Sequence, residues 1–187
     1  MRDKKFLAGI VAVVLLSGCA TVHVSSDWDT AVQFSNYQTY AWVPGPQPKT
    51  GNYRLDDSLL DTRIREAVDR VMAAKGFGKV KEGTPDFWVR YGVSIEGKID
   101  VINDPTPYYT SPYGGAYAPW PTWGGTYVSQ YDEGTVVLEF GDAKTKKLIW
   151  RGTASTVVEP SKSPEKRKRK IDKGIEKLLR DFPPLPR

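Results

Sequence analysis

Between residues 87 and 95 the chain alternates without a break. Phe87, Val89, Tyr91, Val93 and Ile95 fall on one side of an extended backbone, and Trp88, Arg90, Gly92 and Ser94 fall on the other. Successive side chains of a strand point to opposite faces, so this pattern describes a strand with one buried face. A sheet built on such a strand has to be covered on its apolar side, and two segments can supply the cover. Leu60, Ile64, Ala67, Val68, Val71 and Met72 recur at helical spacing and make one stripe. Asp57 or Ser58 can cap that helix, Asp56, Asp57 and Asp61 crowd its start, and Lys75 stands at its end, as the helix dipole favours. Gly76 fits a left-handed stop, with Phe77 placed to cover the last turn. Further on, Ser163 and Pro164 suit the cap and first position of a second helix. Ile171, Ile175, Leu178, Leu179 and Phe182 form its stripe, and Pro183 and Pro184 end it.

The remaining strands are shorter. Val22 and Val24 flank His23 at alternating positions. Thr39, Tyr40, Ala41, Trp42 and Val43 are rich in strand-favouring residues, Tyr40 and Trp42 share a face, and Pro44 opens a Pro/Gly-dense loop that runs to Asn52. Residues 135–140 and 148–157 read as the arms of a hairpin closed by the polar turn Asp142-Ala143-Lys144-Thr145-Lys146. The expected fold is α+β, with a mixed or antiparallel sheet of about five strands and two helices packed on one face, in the order β-β-α-β-β-β-α.

The chain has 187 residues, a length that suits one domain once a leader is removed. Such a domain buries enough apolar surface to fold without disulfides, and its single cysteine, Cys19, has no partner in the chain. The formal net charge of +5 is unevenly spread. Lys162, Lys166, Arg167, Lys168, Arg169, Lys170 and Lys173 cluster near the C-terminus. In a cytosolic protein this run would suggest nucleic acid.

The N-terminus argues for another compartment. Arg2, Lys4 and Lys5 precede an apolar run from Phe6 to Leu16 that is too short for a bilayer span of about 20 residues. Leu16, Ser17, Gly18 and Cys19 follow. The layout is that of a secretory signal peptide, and it resembles a bacterial lipoprotein signal. That resemblance implies cleavage before Cys19, recognition of Leu16, Ser17 and Gly18 by the signal peptidase, and a diacylated Cys19 thiol. Residues 1–18 would be removed, leaving 19–187 as a single domain facing the periplasm. Ala20 after the cysteine implies the outer membrane. Two alternatives stay open. A cut after Ala20 would give a secreted chain without cysteine, and Cys19 could pair outside the chain. An exported domain meets no nucleic acid, so anionic headgroups or acidic glycans become the targets a basic run would face.

Several segments together resemble a known family. The strand from Tyr37 to Trp42, the helix ending Lys75-Gly76-Phe77 and the run Pro85-Asp86-Phe87-Trp88-Val89 come first. Asp142-Ala143-Lys144, Leu148-Ile149-Trp150-Arg151-Gly152 and the closing Phe182-Pro183 complete the set. Their order and spacing are similar to those of the domain-of-unknown-function 4136 family of small bacterial envelope lipoproteins. That resemblance carries no activity and no catalytic residues with it.

Two stretches are candidates for binding. Residues 104–131 hold Tyr108, Tyr109, Tyr113, Tyr117, Trp120, Trp123 and Tyr127 among five prolines and two Gly pairs. Aromatics with polar edges suit wet interfaces, so this insertion could stack on glycan, peptide or membrane, or simply join two strands. The second is the basic run Lys166, Arg167, Lys168, Arg169 and Lys170, which sits at the electrostatically disfavoured start of its helix. It reads either as an anion contact or as a solvated face. Enzyme signatures are weak. His23 is the only histidine, Asp27 and Asp29 read better as a turn than as a carboxylate pair, and the Gly pairs lack the Lys-Ser or Lys-Thr of a phosphate loop. No cofactor is expected. The best expectation is a non-enzymatic membrane-tethered module whose partner is an envelope protein or peptidoglycan. The competing class is an envelope enzyme with a carboxylate site.

Overall fold

The computed structural model describes residues 22–103, 126–158 and 163–184. Six strands form one mixed sheet: β1 (His23–Trp28), β2 (Thr39–Trp42), β3 (Gly78–Lys79), β4 (Phe87–Asn103), β5 (Thr126–Asp142) and β6 (Leu148–Val157). Their order across the sheet is β1-β6-β5-β4-β2-β3. Neighbours β1, β6, β5 and β4 pair antiparallel, whereas β2 runs parallel to both β4 and β3. Two helices, α1 (Ser58–Ala74) and α2 (Pro164–Leu178), cover one face. The α+β class, the mixed sheet and the shared helical face match the reading of the sequence.

Helix α1 starts where capping chemistry puts it. The Asp57 carboxylate accepts the Leu59 N–H at 2.9 Å. At the other end Gly76 takes a φ of 87°, and the Phe77 N–H reaches back to the Met72 carbonyl at 3.0 Å. The chain then pairs with β2 through Gly78 and Lys79, so α1 is the crossover that joins two parallel neighbours. In α2, Ser163 caps the helix by accepting the Lys166 N–H. The two helices run side by side in the same direction. Lys168 approaches Glu66, Arg70 pairs with Asp172 at 2.9 Å, and the Lys75 ammonium donates to the Arg180 carbonyl at 3.0 Å.

Two features depart from the sequence reading. The sheet has six strands rather than about five, because the two-residue β3 carries no strand pattern and exists only through its partner. The hairpin of β4 and β5 is also far longer than the alternating segments suggested, pairing continuously from Phe87 opposite Asp142 to Asn103 opposite Thr126. Residues 126–131, read as part of the insertion, are backbone of β5. The outer portion projects past the body of the sheet as a two-stranded arm.

The core is dominated by rings. Phe87, Phe140, Trp150 and Phe182 are buried together, with Phe34, Phe77 and Tyr40 against them. Phe140 lies 4.7 Å from Phe182 and 4.8 Å from Trp150 between centroids. Edge-to-face and offset contacts at such separations add to the burial of apolar area.

Tyrosine hydroxyls at the rim are paired with carboxylates. Tyr37 donates to Asp142 at 2.7 Å, Tyr40 to Asp69 at 2.9 Å and Tyr91 to Asp61 at 2.7 Å. Burial, then the neighbouring carboxylate, pushes Tyr37 up to about 12 and raises Tyr40 and Tyr91 further. Asp142 is held down to about 2, first by the Thr145 N–H and then by the Tyr37 hydroxyl and the Lys144 N–H. Asp86 is lowered as well, by the Gln38 N–H and the Thr39 hydroxyl and N–H. Both carboxylates therefore ionise at lower pH in the folded chain than in the unfolded one, where aspartate titrates near about 3.9. The stability they confer is complete above that value and drains away as pH falls toward about 2. The urea midpoint is expected to drop between about pH 4 and pH 2, and to drop less in Asp142→Asn, whose midpoint starts lower at neutral pH. An equal slope in both proteins would contradict this.

Candidate functional site

The face of the sheet opposite the helices is open and polar. Glu139 on β5 is gripped from both sides by Arg90 of β4 and Arg151 of β6. Desolvation pushes its carboxyl up, but the hydrogen bonds from Arg151 and Arg90 prevail, so it sits below its ordinary value. On the same face the Lys146 ammonium stands 5.8 Å from the Trp88 ring centroid.

At the edge of the sheet β3 is only two residues long, and this leaves a notch beside β2. The notch is a cleft of about 430 Å³ lined by Trp42, Trp88, Arg65, Lys79 and Lys81 among others. Asp69 of α1 braces one wall by accepting from the Tyr40 hydroxyl, the Trp42 indole N–H at 2.9 Å and the Lys79 ammonium at 2.7 Å. The Arg65 guanidinium lies 4.6 Å from the Trp42 ring centroid while its Nε donates to Asp61 at 2.8 Å. Arg65 is thus held by a ring and a carboxylate at once, and Lys81 stands exposed beside it. Such a cationic, aromatic notch is chemically suited to a planar or anionic group. The signals for it in the sequence were only the Asp61–Arg65 spacing of four and the lysines after Gly76, because the strands and helix that build it are far apart in the chain.

The sequence candidates are placed as follows. Leu16, Ser17, Gly18 and Cys19 lie outside the described residues, as do Tyr108, Tyr109, Tyr113, Tyr117, Trp120 and Trp123. Tyr127 contributes backbone to β5, opposite Ile102, and its side chain is outside the description. The basic run occupies the first turns of α2. There Lys168 is drawn to Asp172 at 3.4 Å, while Lys166, Arg167 and Arg169 are exposed. The structure brings the run to the end of the molecule from which the arm projects. Val158, whose N–H donates to the Asp132 carbonyl at the root of the arm, precedes Ser163 by five residues, a reach of at most about 18 Å. His23 is exposed on the edge strand β1, Asp27 caps its own neighbour's N–H, and Asp29 closes a turn onto Ala31. Among the described residues no three His, Cys, Asp or Glu side chains converge as a metal would need, and no helix is long and apolar enough to cross a membrane.

A model for a domain of unknown function, DUF4136, matches residues 24–184, which takes in the sheet from the second residue of β1 onward and both helices. The chain belongs to the DUF4136 family. No curated protein matches it. Among solved structures this DUF4136 chain is similar to a PDZ domain protein from Parabacteroides distasonis, with 12% identity over 88% of the chain and a TM-score of 0.51. It spans 36% of that protein's length, and the likeness is one of fold. The PelC dodecamer from Paraburkholderia phytofirmans aligns over 85% of the chain and 95% of its own length, with 10% identity and a TM-score of 0.41.

Proposed function

We propose that this DUF4136 chain is a non-enzymatic binding module of the bacterial envelope, tethered to the outer membrane by an acylated Cys19 and facing the periplasm. The observation that carries this reading is the shortness of the tether. Strand β1 is already paired at His23, four residues after Cys19, so an acylated Cys19 would hold the domain close to its membrane. Two acyl chains give stable attachment where one would be reversible. Confinement near a surface raises the effective concentration of the domain, so weak contacts to an envelope protein or to peptidoglycan suffice. The aromatic segment and the basic run supply such contacts in this reading, and the Trp42–Arg65 notch adds one suited to anionic groups.

Substitution of Cys19 by serine tests the tether. The wild type is expected in the outer-membrane fraction and Cys19→Ser in the soluble fraction or retained as uncleaved precursor. Equal recovery of both proteins from the outer membrane, processed to the same length, would overturn the proposal.

A further inference from the structure

We infer that the β4–β5 arm seats the domain on the lipid surface, with its apolar face against the bilayer that Cys19 enters. This rests on the anchored reading above and adds a second, non-covalent membrane contact.

His23 lies opposite Ser155, Ser155 opposite Thr135, and Thr135 opposite Ser94. Strand β1 runs antiparallel to β6, β6 to β5 and β5 to β4, so the chain upstream of His23 leaves the sheet in the direction in which β4 continues past Ser94. Anchor and arm therefore emerge from the same end. Cys19 is four residues from His23 and reaches at most about 14 Å beyond it. Ile99 and Val101 are five and seven residues beyond Ser94, about 17 and 24 Å along the arm. The arm extends as far as the anchor can and further. A domain anchored within that reach holds the arm where it can meet the membrane.

The arm is built for that contact. Val93, Ile95, Ile99 and Val101 of β4 share a face with Val136 and Val128 of β5, the face that lower down packs under the helices. Past the helices Arg54 reaches this face at Asp132, and the apolar side chains farther out stand open. Ile99 is 63% exposed, Val101 57% and Val128 62%, and Val101 and Val128 are directly paired. The other face of the arm carries Ser94, Glu96, Lys98 and Asp100 opposite Thr135, Glu133, Tyr131 and Ser129, with Lys98 bonded to Glu96 at 2.8 Å. Gln130 and Asp132 interrupt the first face, but Ile99, Val101 and Val128 stand out on it while Glu96, Lys98, Asp100 and Glu133 stand on the other. That asymmetry is the amphipathic pattern of an interfacial element. Its root is fixed by Arg54, which pairs with Asp132 at 2.6 Å. Charge agrees with this placement. Both helices start at this end and on the apolar side, since Tyr91 donates to Asp61 in the first turn of α1 and α2 runs alongside. Exposed Lys166, Arg167 and Arg169 are thereby on the side that meets anionic headgroups.

The test uses the full mature chain in vesicles of phosphatidylethanolamine and phosphatidylglycerol, with Val101→Cys, Val128→Cys and Ser129→Cys variants labelled singly with a polarity-sensitive dye. In the anchored reading Cys19 is a thioether, so each new cysteine is the one reactive thiol. Dyes at 101 and 128 are expected to shift to the blue and to lose most of their emission to nitroxide carried on the lipid chains, while the dye at 129 on the polar face loses much less. If the protein floats with the vesicles but none of the dyes is quenched, the arm inference falls and the anchor stands. If the dyes at 101 and 128 are shielded from water yet untouched by lipid nitroxide, the face is covered by a second copy and the inference is overturned. A wild-type chain that does not float overturns both readings.

Discussion

Phe182→Ala is expected to lower the free energy of unfolding by about 3–5 kcal/mol, the range for removing a large ring from a closed core. Phe182 follows the last turn of α2, and its N–H donates to the Leu179 carbonyl. Its ring is 2% exposed and lies within 6.4 Å of Phe34, Phe77, Phe87, Phe140 and Trp150 between centroids. It joins the chain's end to α1's C-terminal turn and to three strands, so the cavity it leaves is bounded by parts that cannot easily close on one another. Phe182→Leu keeps most of the volume and is expected to cost less than half as much. Urea denaturation followed by tryptophan fluorescence reads the difference. A loss below about 1 kcal/mol for Phe182→Ala would mean that the ring cluster is not the centre of the core.

Gly152→Ala is the second large effect, and here addition rather than removal does the damage. A Cβ placed on Gly152 would lie 2.3 Å from Cη2 of Trp150 and 2.8 Å from Cδ1 of Leu178. Trp150 is buried, and its ring is stacked on Phe140, so it has little room to yield. Leu178 belongs to α2 and is buried, so its Cδ1 can turn aside only by displacing other core side chains. The expected cost is about 1–3 kcal/mol for one methyl group, and more for Gly152→Val. Gly92→Ala is the control, because a Cβ there meets nothing within 4 Å. It is expected to be neutral or slightly stabilising. Similar losses at both glycines would contradict a close approach of α2 to β6 at Gly152.

The two glycines also mark the boundary between what local sequence signals carry and what only packing sets. Helix α1 was legible in full, since its cap, stripe and left-handed stop are all local signals. The alternation at residues 87–95 was legible for the same reason. Beyond Ile95 the pattern fades through Glu96, Gly97, Lys98 and Asp100, residues that disfavour strands on their own. They are held extended by pairing with residues 126–134, a non-local cause that no window of sequence contains. Gly152 looked like any glycine in a strand, because the Trp150 ring that fills its place is set by packing. The candidate cleft was equally hidden. Arg65 reads as one charge on an exposed helical position until β2 brings Trp42 against it. The basic run was visible as composition, but its position beside the arm depends on the chain path from β6 to α2.

Membrane attachment in this proposal depends on the covalent state of one residue, Cys19. Intact-mass analysis of the mature chain isolated from bacterial membranes is predicted to find the N-terminus at Cys19, heavier than the bare polypeptide by a diacylglyceryl group, with the mass gain absent in Cys19→Ser. A mature chain that begins at Thr21, unmodified and without cysteine, would contradict it.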